Sequence, residues 1–176
     1  MLLRLLRTKP AGGCLAVVVL CLSGLAATPV VSAEAVTVAA SGAQTTAGYT
    51  LETMPSGVYE RRLLHWTNVQ RSRRDRARVR GDRCADRYAE RWTRHLLRVD
   101  RLIHRDLRVL LRGCDATAAG EVLAHGRVWP RAMVRMWMRS RPHRAILLSR
   151  TYRSIGIGAR LRPDGSWLAT QNYLRR

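Results

Sequence analysis

Gly120-Glu121-Val122-Leu123-Ala124, then Trp137-Met138-Arg139-Ser140-Arg141-Pro142-His143-Arg144-Ala145-Ile146-Leu147, then Ile155-Gly156-Ile157-Gly158: the stretch at 120–158 decides the fold. Its last part changes period. Ile155, Ile157, Ala159 and Leu161 alternate with Gly156, Gly158 and Arg160, which is a strand pattern. Arg162-Pro163-Asp164-Gly165 is a turn signal, and 166–174 can return as the second strand of a hairpin. The short segment 120–124 reads as a strand or an extended connection. Pro130 stands where the first turn of a helix tolerates proline, and Met133, Val134, Trp137 and Met138 give that helix one apolar face. Ser140-Arg141-Pro142 breaks it, and Pro142 can open a shorter helix carrying His143 and Ile146-Leu147-Leu148.

Working outward toward the N-terminus, Tyr59, Leu63, Trp66 and Val69 recur three or four apart, so 59–79 reads as a helix. The arginine cluster at 71–80 reads as its solvated face. Gly81-Asp82 supplies a break and an N-cap for a second helix. In that helix Cys84, Tyr88, Trp92, Leu96 and Val99 form a stripe expected to face the core. Helices followed by a terminal antiparallel hairpin make an α+β domain.

The first 33 residues read as a signal peptide. Arg4, Arg7 and Lys9 precede a short apolar run, and Val31-Ser32-Ala33 offers small residues for cleavage after Ala33. Residues 34–57, rich in Ala, Thr, Ser and Gly, read as a flexible leader to a single domain at 58–176. No second apolar run is long enough for a transmembrane segment, and the mature chain is expected to be an extracellular monomer. Losing the signal peptide lowers the formal charge from +20 to +17. Lys9 is the only lysine and Phe is absent, a codon bias that points to a GC-rich genome. The charge still favours polyanions: wall polymers, anionic lipid head groups or stray DNA. No nucleic-acid recognition motif accompanies it, so nucleic acid is not the expected partner.

Cys14 and Cys21 leave with the signal peptide, and Cys84 and Cys114 remain as the one pair available to an oxidising compartment. The alternatives are two free thiols, or a metal site that lacks any close-spaced thiol partner.

The three boxes, in their order, resemble the CAP superfamily (cysteine-rich secretory, antigen 5 and pathogenesis-related 1 proteins; the SCP domain), bacterial secreted branch. That branch shows a "GENIA" box, a "WM-x-SPGHR-x-x-IL" box and an "IGVG" strand, with a histidine upstream. The resemblance spans roughly 60–174. It implies a three-layer α-β-α sandwich with a small antiparallel sheet. It also implies a cleft shared by His104, Glu121 and His143, which their distance in sequence does not suggest. This chain departs from the pattern at Val122, where Asn is usual, and at Arg141-Pro142, where Pro-Gly is usual. No acidic residue lies between Glu121 and Asp164 to supply a further carboxylate. Asp106, two residues past His104, is a candidate to support it.

Two imidazoles facing one carboxylate suit a divalent metal such as zinc, with His104 and His143 as ligands. The same trio suits general acid/base work, with Glu121 the candidate catalytic group. The expected function is a secreted, non-enzymatic binding module. Its ligand would be an extracellular lipid, glycan or anionic wall polymer, taken through the His/Glu cleft or an arginine-rich face. The alternative is a metal-assisted hydrolase using His104, His143 and Glu121.

Overall fold

The C-terminal hairpin forms as its alternation predicts and becomes the centre of the sheet. The computed structural model describes residues 48–176; the expected signal peptide and the first part of the expected leader lie outside the described residues. In chain order the elements are α1 (Ser56–Ser72), β1 (Arg80–Gly81), α2 (Arg83–Val99), α3 (Arg108–Gly113) and β2 (Ala118–Gly126). They continue as α4 (Pro130–Arg139), α5 (Arg141–Leu147), β3 (Ser154–Leu161) and β4 (Trp167–Arg175). The sheet order is β1-β3-β4-β2. Strands β3 and β4 pair antiparallel, as do β2 and β4, so 120–124 is a strand rather than a connection. The sheet is mixed rather than purely antiparallel, because β1 adds two residues parallel to β3. Gly165, at φ +77°, makes the hairpin turn in the left-handed region that glycine tolerates.

Strand alternation sorts the two faces. Ile155, Ile157, Ala159, Trp167, Ala169, Tyr173, Val122 and Ala124 pack on one side with residues of α1 and α4, including Tyr59, Leu63, Met133, Val134 and Trp137. Tyr59 stacks on Trp167 with ring centroids 4.0 Å apart. On the other side Leu174 meets Ala85 and Leu110, and Leu168 and Leu123 meet Leu96. Helices on both faces of one sheet make the expected three-layer α+β sandwich. Residues 48–55, leader by composition, belong to the folded unit: Met54 is buried and the Trp167 indole donates to Leu51 O at 2.9 Å.

Helix α2 begins where expected, with Asp82 accepting from the Ala85 amide at 3.0 Å. Its buried stripe differs in part: Ala85, Ala89 and Thr93, each one position along from Cys84, Tyr88 and Trp92, are buried, Leu96 is buried as expected, and Val99 is exposed. The cause lies in β3. A Cβ on Gly156 would sit 2.0 Å from the Ala85 carbonyl carbon, and one on Gly158 would sit 2.7 Å from that of Ala89. Backbone meets backbone, so only small side chains fit between helix and sheet. Cys84 is therefore half-buried beside that stripe, yet it still bonds Cys114, with Cα atoms 5.7 Å apart. The bridge ties the start of α2 to the end of α3; closing a loop of this length contributes about 3–4 kcal/mol in the chain-entropy account.

Helix α1 stops at Ser72, well short of 79. Arg71, expected on a solvated face, is fully buried. Its guanidinium donates to Ala77 O (2.7 Å), Leu147 O (2.6 Å) and Ser149 O (3.1 Å). Asn68 holds the chain after the helix by exchanging two hydrogen bonds with Val79, at 3.0 and 2.9 Å. These nonlocal bonds satisfy carbonyls that continued helix would otherwise use, and burial lowers the pKa of Arg71. Helices α4 and α5 follow the proline and apolar signals.

Candidate functional site

Asp100, in the left-handed region at φ 50°, ends α2 and turns the chain back. The loop then passes over the outer side of α2, where the Trp92 indole donates to Ile103 O at 3.2 Å. The next two residues, His104 and Arg105, reach Glu121 on β2. Alternation puts Glu121 on the α2 side of the sheet, where its carboxylate is almost wholly buried at 1 % exposure. A buried carboxylate needs charge and hydrogen bonds around it. His104 Nδ1 lies 3.0 Å from Oε1, and the Arg105 backbone N–H reaches the same oxygen at 3.4 Å. Arg105 Nε donates to Oε2 at 3.0 Å. Asn172, opposite Glu121 in the β2–β4 ladder, donates to Oε2 at 3.3 Å and accepts from the Ala89 N–H at 3.1 Å with its amide so oriented. The amide that Val122 does not provide thus comes from the neighbouring strand; Val122 itself faces the opposite core.

Arg105 was not apparent as a site residue in the sequence. Its side chain is 7 % exposed, donates to Tyr88 O at 2.8 Å and lies 4.9 Å over the Trp92 ring. Burial lowers its pKa, and the charge of Glu121 opposes that shift. The only local signal was its place next to His104; a buried carboxylate demands a cation, but where arginine is the only strong base after Lys9 nothing marks which one.

The structure brings His104 and Glu121 into contact. His143, near the start of α5, is half-buried and within electrostatic range of His104, but no hydrogen bond or ion pair joins it to Glu121. Glu121 is in contact with His104, and His143 is linked to that pair through its electrostatic interaction with His104. A carboxylate contact would raise an imidazole pKa, whereas that of His143 is lowered, first by burial and then by His104. Asp106 does not support His104; it pairs with Arg108 at 2.8 Å.

Glu121 is not free to join a zinc ligand set. Both Glu121 oxygens already serve His104, Arg105 and Asn172, and a metal there would face the buried guanidinium. Among the described residues no group of three or more His, Cys, Asp or Glu side chains is placed to hold a metal ion. What the arrangement does is orient an imidazole. With Nδ1–H directed at Glu121, neutral His104 presents Nε2 outward as an acceptor, and its side chain is 59 % exposed.

The family model described as CAP, "Cysteine-rich secretory protein family", matches residues 64–173, a span that holds His104, Glu121 and His143. The chain belongs to the CAP family. Its fold is also that of solved SCP proteins. An extracellular protein containing an SCP domain from Bacillus anthracis is 22% identical with a TM-score of 0.61, over 69% of this chain and 41% of that one. An outer surface protein from Borrelia burgdorferi is 17% identical with a TM-score of 0.59, over 65% and 90% of the two chains. A cysteine-rich secretory protein from Staphylococcus aureus is 18% identical with a TM-score of 0.58, over 69% and 40%. The match thus takes in about two fifths of the Bacillus and Staphylococcus chains. No curated protein matches this CAP chain. Among the described residues no helix is long and apolar enough to cross a membrane.

One consequence for this CAP domain is measurable by imidazole ring-proton shifts. His143 is expected to titrate below its ordinary value of 6.5. His104→Gln should move that midpoint upward, since it removes the neighbouring positive charge and leaves the burial. Because the folded pKa is the lower one, His143 contributes stability that is present above 6.5 and lost as pH falls through the folded value. An unchanged midpoint in His104→Gln would separate the two imidazoles.

Proposed function

We propose that this CAP protein is exported, with residues 1–33 removed, and acts outside the cell as a non-catalytic binding module. The ligand is an extracellular lipid, glycan or anionic wall polymer, held beside His104 and His143 or on the arginine-rich surface. The observation that carries the reading is the state of Glu121. Its carboxylate is buried and committed to Arg105, His104 and Asn172. It is therefore available neither as a metal ligand nor as a base toward a bound substrate. The exposed imidazole of His104 is held at a fixed angle, which suits recognition of a ligand donor or, when protonated, of an anion. The family match and the extracellular descriptions of similar structures support export.

Native mass spectrometry of protein recovered from culture medium tests this. The expected spectrum starts at Glu34 and carries a co-purified organic ligand that His104→Ala and His143→Ala lose. A stoichiometric zinc ion, or a hydrolytic activity abolished by Glu121→Gln, would overturn the reading.

A further inference from the structure

Five large apolar side chains are exposed among the described residues, and four lie close together in the chain: Val99 (39%), Leu102 (45%), Ile103 (37%) and Val109 (45%). They occupy the end of α2, the loop at 100–107 and the start of α3. Trp92 joins them, since its indole bonds Ile103 O and its ring lines one groove with Val109. Around them the exposed side chains are basic: Arg91, Arg94, Arg98, Arg101, Arg108 and Arg112. The only acids at 91–112 are Asp100 and Asp106, and each is engaged by an arginine, Arg162 and Arg108 respectively. Among the described residues Arg98, Arg101 and Arg112 have no carboxylate partner.

We propose that this surface docks on an anionic lipid bilayer, with Leu102, Ile103 and Val109 entering the head-group boundary and the arginines contacting lipid phosphates. Two independent features converge on that partner. Unpaired guanidinium groups attract any polyanion. Solvent-exposed aliphatic side chains offer nothing to a dissolved polyanion, but they gain by insertion at a membrane interface. The inference deepens the proposed lipid-binding reading and rests on it, and the groove at its edge is also lined by His104.

The test is flotation of protein from culture medium with vesicles of phosphatidylglycerol and phosphatidylcholine, against vesicles of phosphatidylcholine alone. Binding is expected only with the anionic lipid and should weaken as salt rises. Arg98→Gln with Arg101→Gln should weaken it about thirtyfold. Leu102→Asn with Ile103→Asn should weaken it roughly tenfold, and Met136→Asn, at the exposed apolar residue outside the cluster, should not. If the loop variant misfolds by circular dichroism, Val109→Asn carries the same expectation from a different element. Absence of vesicle binding would overturn the proposal. So would binding that depends on the arginines but is untouched by the loop and Val109 changes, which would mark a site for soluble polyanions such as wall polymers.

Discussion

Gly156→Ala is expected to destabilise the domain by about 3 kcal/mol or more, lowering the melting temperature by roughly 10 °C. The added Cβ would fall 2.0 Å from the Ala85 carbonyl carbon and 2.1 Å from the Asp86 nitrogen. These are backbone atoms of α2, so no rotamer change relieves the contact and the helix must move. Movement would disturb the bond from the Ile157 amide to Asp86 Oδ1 (2.8 Å). Thr93, whose hydroxyl lies 3.1 Å from Gly158 O and 2.9 Å from Thr170 Oγ1, would shift with it. Gly158→Ala should cost less, because its Cβ would meet Ala89 at 2.7 Å. Ala85→Gly should not rescue Gly156→Ala, since the clash is with main chain. Urea or thermal unfolding measures all three. A loss under about 1 kcal/mol for Gly156→Ala would mean that helix and sheet are not in backbone contact.

Arg105→Met is expected to cost about 3–5 kcal/mol, the range for removing one partner of a buried ion pair. Glu121 at 1 % exposure would lose its closest full countercharge. Adding Glu121→Met should recover much of the loss, because two apolar side chains leave no unpaired charge behind. Arg101→Met, at an exposed position, should stay within about 0.5 kcal/mol of wild type. Denaturant unfolding of wild type, Arg105→Met, Glu121→Met and the double variant closes the cycle. Additive losses in the double variant would show that the two residues do not act as a pair.

The alternation at 155–161, the turn at 162–165 and the prolines at 130 and 142 determined their elements from sequence alone. Each is set by local backbone preference and side-chain period. Cys84 and Cys114 were legible as the one available pair, by arithmetic rather than geometry. The ordered boxes also made the family and its three layers legible, with His104 and Glu121 as neighbours. Tertiary structure decided what depends on distant partners. Periodicity put Cys84, Tyr88 and Trp92 toward the core of α2, but the glycines of β3 let the helix approach so closely that Ala85 and Ala89 lie there instead. Arg71 and Arg105 could not be told from their exposed counterparts, because every arginine has the same local chemistry. What distinguishes them is a set of carbonyls at Ala77, Leu147 and Ser149 for one and a buried carboxylate on β2 for the other. That His104 and not His143 bonds Glu121 was decided the same way, since where α5 rests against β2 is a matter of packing and not of spacing along the chain.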